Sequence, residues 1–183
     1  MTQGVSTGRQ QGRTGGYSVG SHGRSGLAEG EVASAGRAVS RTDPQAARIA
    51  GLLGLPSPEK MTDVGLARTI ALGLPLTALD LIARWFGQPG FATAIVPEAT
   101  LRRARAANKA LSRDHSERVY EIARVLDAAL RAYGGDGEAA VDFLSRRHPL
   151  LDFERPIDLA RMSSAGTDAV IAQIGRAMAG VAI

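Results

Sequence analysis

The sequence predicts an all-α fold, on three observations. Aromatic residues make up only 4% of the 183 positions while the apolar share is an ordinary 44%, so the core must be built from closely packed Leu, Ile, Val and Ala rather than large rings. Alanine is abundant and loses no side-chain entropy in a helix, whereas good strand formers are sparse. Between Ser112 and Gly134 the apolar residues Val119, Ile122, Ala123, Leu126, Ala129, Leu130 and Tyr133 recur at spacings of three and four, which draws one stripe along a single long helix. The length suits one or two domains.

Residues 1–40 hold ten glycines, with apolar residues too scattered to form a face. So few apolar groups cannot offset the entropy of ordering, and 1–42 is expected to be a flexible tail. Its glycines lack the GxxxxGK[ST] pattern and the preceding strand of a phosphate-binding loop. Asp43 followed by Pro44 reads as the cap and first residue of a helix carrying Ile49, Leu52 and Leu53, which ends before Gly54. After the PSPEK turn, Pro58 and Glu59 are expected to open a second helix bearing Met61, Val64, Leu66 and Ile70. In GLPLTALDLIARWFG the expected cap is Thr77, with Leu79, Ile82, Ala83 and Phe86 on one face and Leu81 and Trp85 flanking it. Pro97, Glu98 and the following alanines predict a helix over 97–108. Ser112 caps the long helix, 113–133, and Gly134 and Gly135 end it. A short helix then presents Val141, Phe143 and Leu144, Pro149 breaks it, and another starts near Pro156. Thr167 is expected to cap a last amphipathic helix with Val170, Ile171, Ile174 and Met178, stopped by Gly180. The terminal Val181, Ala182 and Ile183 either pack at home or are received by a partner. The expected organisation is a tail over 1–42, one helical module over 43–111, and a second over 112–183 that includes the long helix.

The formal net charge is +4, and residues 102–118 carry six basic groups against two acidic, while 134–183 carry seven acidic against five basic. A basic cluster of this kind attracts polyanions through phosphate neutralisation and counterion release, although a solvated helix face has the same composition. Catalysis finds no support. There is no cysteine, which excludes disulfides, thiolate chemistry and cysteine-based zinc sites. His22, His115 and His148 have no metal-ligand spacing, and His148 before Pro149 reads as a loop histidine bonded locally. GDGEAA at 135–140 formally fits GxGxxA but follows a long helix instead of a strand. Ser163 and Ser164 lack a GxSxG elbow, and turns and caps account for Asp152, Glu154 and Asp158. The expectation is a binding protein and not an enzyme, with no cofactor and no metal. With no signal-peptide pattern and no apolar run of about 18 residues, it is expected to be cytoplasmic and without membrane contact.

A family resemblance lies in the order and spacing of many weak elements. Thr100, Leu101, Arg103 and Ala104 open it, the pattern's arginine pair being kept only as Arg102 and Arg103. Leu111, Ser112, Ser116 and Arg118 follow, then Tyr133 and Gly134, then Phe143, Leu144, Pro149, Leu150, Pro156, Asp158, Leu159, Gly166, Val170, Ile174 and Gly180. Over residues 60–183 the chain resembles the Xre/MbcA/ParS-like antitoxins of type II toxin–antitoxin systems, nearest to their ParS branch. The resemblance implies an N-terminal Xre-like helical DNA-binding module, a C-terminal helical toxin-binding module, and a homodimer. Its implied partners are operator DNA and a toxin with a RES domain, which is similar to ADP-ribosyltransferases and consumes or transfers from NAD. The antitoxin would cover the toxin's NAD pocket and itself bind neither NAD nor metal.

Residues and resemblance together mark two surfaces. Over 97–109, Arg102, Arg103, Arg105 and Lys109 are candidate phosphate contacts, and Thr100 and Asn108 candidate base readers. The intervening alanines offer little to a major-groove code, and the same arginines also fit a solubilising face or a contact with an acidic partner. Over 156–183 the candidate toxin contacts are Asp158, Arg161, Met162, Gln173, Ile174, Arg176, Met178, Val181 and Ile183. There the small residues Gly175, Ala177 and Gly180 permit close approach, and Arg161, Gln173 and Arg176 are the expected polar anchors. The alternatives are that the last helix only closes the protein's own core, and that the chain is a helical transcription regulator without a toxin partner.

Overall fold

The structure, a computed structural model, describes residues 44–181; the expected tail, the Asp43 cap, and the terminal Ala182 and Ile183 lie outside the described residues. Among the described residues every regular element is helical and there is no strand.

Helix α1, Pro44–Leu52, starts on its proline, whose fixed φ suits a first turn where no N–H is needed. The next helix does not start at Pro58. Pro58–Lys60 is a single 3-10 turn, and helix α2, Asp63–Leu72, begins afresh where Thr62 Oγ1 accepts the Gly65 N–H at 3.1 Å. A hydroxyl cap satisfies a helix donor that a proline start leaves open. In helix α3, Leu76–Phe86, Pro75 takes the cap position and Thr77 lies inside the first turn, contrary to expectation. Helix α4, Phe91–Ile95, fills a stretch for which the sequence predicts no helix. Helix α5, Glu98–Ala106, is shorter than the expected 97–108 and is followed by Asn108 in the left-handed region at φ +47°.

Helix α6, Arg113–Ala132, is the expected long one. Ser112 Oγ accepts the His115 N–H at 3.3 Å at its start, and Gly134 and Gly135 turn the chain at positive φ beyond its end. Helix α7, Gly137–Ser145, is capped by the Asp136 carboxylate, which accepts the Ala139 N–H at 3.0 Å. A 3-10 turn at Pro149–Leu151 leads to helix α8, Pro156–Met162, and helix α9, Ser164–Val181. The last helix starts earlier than expected, because Ser163 Oγ accepts the Gly166 N–H at 3.1 Å. Thr167 is therefore an interior, fully buried helix residue, and Gly180 does not stop the helix before Val181.

The stripe on α6 forms the axis of the core. Val119, Ile122, Ala123, Val125, Leu126 and Ala129 are 0% exposed, and α6 packs against α1, α2, α3 and α4 as well as α7, α8 and α9. Each fully buried Leu, Ile or Val favours folding by about 1.5–3 kcal/mol relative to exposure. One continuous core thus runs across the expected module boundary at 111/112. The backbone there is stitched as well. Leu111 N–H donates to the Leu74 carbonyl at 2.9 Å, and the buried Ser116 hydroxyl accepts the Leu74 N–H at 2.8 Å while donating to the Ser112 carbonyl at 2.9 Å. Gly73, at φ +109°, permits this approach, since a β carbon would collide with the Leu111 carbonyl.

No single helix among the described residues is long and apolar enough to cross a membrane. Helices α2 and α3 would suffice only as a pair, but they meet at a 105° bend and bury Leu66, Ile70, Leu79 and Ile82 in the core.

Candidate DNA-binding and partner-binding surfaces

Helices α4 and α5 are joined only by Val96 and Pro97, the tight helix–turn–helix connection in which the second helix is free to lie in a groove. Phe91 stacks on Phe86 with ring centroids 4.4 Å apart, and Ile95, Val96 and Leu101 are buried, so the pair is seated by its apolar side. The polar side of α5 carries the predicted residues. Arg102 and Arg103 are exposed, and Arg103 Nε donates back to the Ala99 carbonyl at 3.1 Å. Arg105 is also exposed but reaches Asp80 on α3 at 2.8 Å. Thr100 is half-buried. Asn108 and Lys109 are not on the helix; they lie on the turn after it, held by the Lys109 N–H donating to the Ala104 carbonyl at 2.9 Å. The structure thus gathers Thr100 and three arginines on one short helix and puts Asn108 and Lys109 just past its end.

The second surface differs more from expectation. Asp158 is not a free anchor, because Arg155 holds it at 2.6 Å and Arg161 at 3.4 Å. Arg161 is likewise engaged. Its Nη2 donates to the Ala94 carbonyl of α4 at 3.1 Å, and its guanidinium lies 5.8 Å from the centre of the Phe91 ring. It braces α8 against the helix–turn–helix. Ile174 is only 4% exposed and belongs to the protein's own core, so it offers a partner no more than an edge. The Gln173 side-chain oxygen accepts from Arg176 at 2.7 and 3.2 Å, which joins the half-buried Gln173 and the exposed Arg176 as one polar unit. Met162 and Met178 are exposed, Val181 is the last helical residue, and Ile183 lies outside the described residues.

Between α6, α7 and α9 runs an apolar groove of about 290 Å³, lined by Ala132, Tyr133, Phe143, Ile174, Ala177 and Met178. Phe143 is fixed beside it by Tyr133, at 5.9 Å between ring centres, and by His148 at 4.4 Å. A His148 ring nitrogen lies 2.8 Å from the Phe143 carbonyl oxygen, the local bond expected of a loop histidine. Sequence reasoning does not single out Phe153 or Leu150 as contacts, yet both are large, apolar and exposed. Their signal in the sequence is that they are apolar residues beside the charged Asp152, Glu154 and Arg155 between Pro149 and Pro156, and Leu150 also belongs to the family pattern. Among the described residues no group of three or more His, Cys, Asp or Glu could hold a metal ion.

Comparison with known families gives two matches. Residues 65–124 match the antitoxin Xre-like helix-turn-helix domain, and residues 129–180 match the antitoxin Xre/MbcA/ParS C-terminal toxin-binding domain. No curated protein matches the chain. The first match runs from α2 into α6 and contains the α4–α5 pair, and the second runs from the end of α6 into α9. The two matches lie in the order and on the helices described above, and the chain thus carries an antitoxin Xre-like helix-turn-helix domain followed by an antitoxin toxin-binding domain of the Xre/MbcA/ParS type.

Proposed function

We propose that the chain neutralises a RES-domain toxin by covering its NAD pocket, as a cytoplasmic homodimer, and represses its own operon by binding operator DNA through α5. The reading is that of a ParS-like member of the family. The observation that carries it is the pairing, within one core, of a helix–turn–helix bearing exposed Arg102 and Arg103 with a matched toxin-binding domain. The proposed phosphate contacts are Arg102, Arg103, Arg105 and Lys109, with Thr100 and Asn108 at base edges. The proposed toxin contacts are Met162, the Gln173–Arg176 pair, Met178 and the terminal Val181 and Ile183. Asp158, Arg161 and Ile174 support that surface from within.

The test is expression of the protein encoded by the neighbouring reading frame, with and without this chain. Growth arrest with a fall in cellular NAD, both reversed by co-expression, is the expected result. Arrest without loss of NAD would overturn the RES assignment and leave an antitoxin of another toxin. No arrest at all would favour a helical regulator without a toxin partner. Truncation at residue 155 is a poor substitute, because it would strip Ile157, Ala160, Val170 and Ile174 from the shared core.

A further inference from the structure

In the toxin-binding half, two of the most exposed large apolar side chains share one short loop. Leu150 is 75% exposed and Phe153 62%. The loop is firmly clamped. The N–H groups of Leu151 and Phe153 both donate to the His148 carbonyl at 3.0 Å, the His148 N–H donates to the Glu154 carbonyl at 3.2 Å, and Arg147 Nη1 donates to the Phe153 carbonyl at 3.0 Å. His148 is itself fixed on Phe143.

The backbone of this loop is strained. Asp152 and Phe153 both stand in the left-handed region, at φ +52° and +60°, which glycine adopts freely and a bulky residue does not. A phenylalanine here strains its own chain and gains little burial from it, being 62% exposed. Such a residue makes sense as a preorganised anchor, because a rigid aromatic side chain on a clamped loop loses little entropy on docking. Beside it, Leu150, Leu159, Ala169, Ala172 and Arg176 help line a groove of about 390 Å³ against α9, where small side chains allow another surface to come close.

We infer that Leu150 and Phe153 form the apolar anchor by which this half of the chain docks into a concave apolar pocket on its protein toxin. The inference rests on the antitoxin reading. The loop lies inside residues 129–180, the part that matches a toxin-binding domain, and this continuity selects the toxin over a second copy of the chain as the occupant.

The experiment uses the full chain, the protein encoded by the neighbouring reading frame, and a DNA duplex from the chain's own upstream region. Phe153→Gly removes the ring and relieves the backbone, so it is expected to keep or raise the melting temperature. Affinity for the neighbouring protein is expected to fall about 30-fold, with duplex binding unchanged. Leu150→Ser, which leaves the strained positions intact, is expected to weaken the same complex and supplies the measurement if Phe153→Gly does not fold. Unchanged affinity in both variants overturns the inference and leaves the antitoxin reading standing. Failure of the unaltered chain to bind that protein overturns the antitoxin reading, and the inference with it. If Phe153→Gly retains that affinity but splits a dimer into monomers by sedimentation, the loop is a self-association surface and the inference is overturned.

Discussion

Arg48 on α1 grips Asp127 on α6 through two hydrogen bonds, Nε to Oδ1 at 2.6 Å and Nη2 to Oδ2 at 3.1 Å, across 79 positions of sequence. The two partners are unequally buried, with side-chain exposures of 39% for Arg48 and 5% for Asp127. Arg48→Ala leaves a buried carboxylate without its cation and is expected to cost about 3 kcal/mol. Asp127→Ala removes the buried charge itself and leaves an arginine that is already partly exposed, so its expected cost is smaller, about 1–2 kcal/mol. Urea denaturation of both variants checks the order, and an equal or reversed loss would show that the pair is not a buried clamp.

Two glycines on α9 are expected to respond oppositely to alanine. At Gly166 a β carbon would collide with the Leu159 carbonyl, whereas at Gly175 it would meet nothing within 4 Å. Gly166→Ala is expected to destabilise by about 2–3 kcal/mol as α8 and α9 are forced apart. Gly175→Ala is expected to stabilise by up to about 1 kcal/mol through helix propensity alone. Melting temperatures of the two variants provide the comparison.

The arginines of α5 are expected to differ in their contribution to DNA binding. Arg102 and Arg103 are exposed, while Arg105 already faces Asp80 at 2.8 Å. The double variant Arg102→Ala, Arg103→Ala is expected to reduce the slope of log K against log salt by about 2, at roughly 0.9 for each phosphate that an arginine no longer neutralises. Arg105→Ala is expected to change it less, and Asp80→Asn to steepen it by releasing Arg105. Fluorescence anisotropy over a salt series measures all three; an unaltered slope in the double variant would remove α5 from the interface.

Tyr120, half-buried on α6, has its phenol pushed above the ordinary 10.0. Burial is the main cause, the Arg124 guanidinium opposes it, and Glu121 and Asp63 add to it. The folded protein therefore holds this proton more tightly than the unfolded chain does. The resulting stabilisation is complete below the unfolded value and is lost as pH rises through the folded one. From about pH 9 to pH 11, the unaltered protein is expected to lose stability faster than Tyr120→Phe. Thermal denaturation of the two proteins across that range shows it as a widening gap in Tm.

The sequence made the long helix legible because an unbroken stripe, a serine cap and two terminal glycines all agree over 112–135. It was less informative where two capping residues compete. Pro58 against Thr62, and Thr167 against Ser163, are locally equivalent choices, and tertiary approach decides the second of them, with Gly166 pressed under Leu159. Helix α4 has too few residues for a periodic signal, and its Phe91 is placed by stacking on Phe86. The basic character of α5 was visible in composition. Its internal pairing was not, because Asp80 is 25 positions away from Arg105. An apolar stripe on the last helix likewise cannot reveal that Ile174 faces inward, nor can a lone arginine reveal that Arg161 reaches Ala94, 67 positions upstream.

The two family matches meet between residues 124 and 129, in the C-terminal half of the unbroken helix α6. Each helical residue advances the chain by about 100° of rotation. One residue inserted there would turn the α6 side chains beyond it by that angle against those before it, pulling the buried stripe that both halves share out of register, whereas a near-integral number of turns would restore the original heading. The phase of this helix thus holds the two halves to one shared stripe, and chimaeras spliced at this joint would inherit or lose that register according to their residue count.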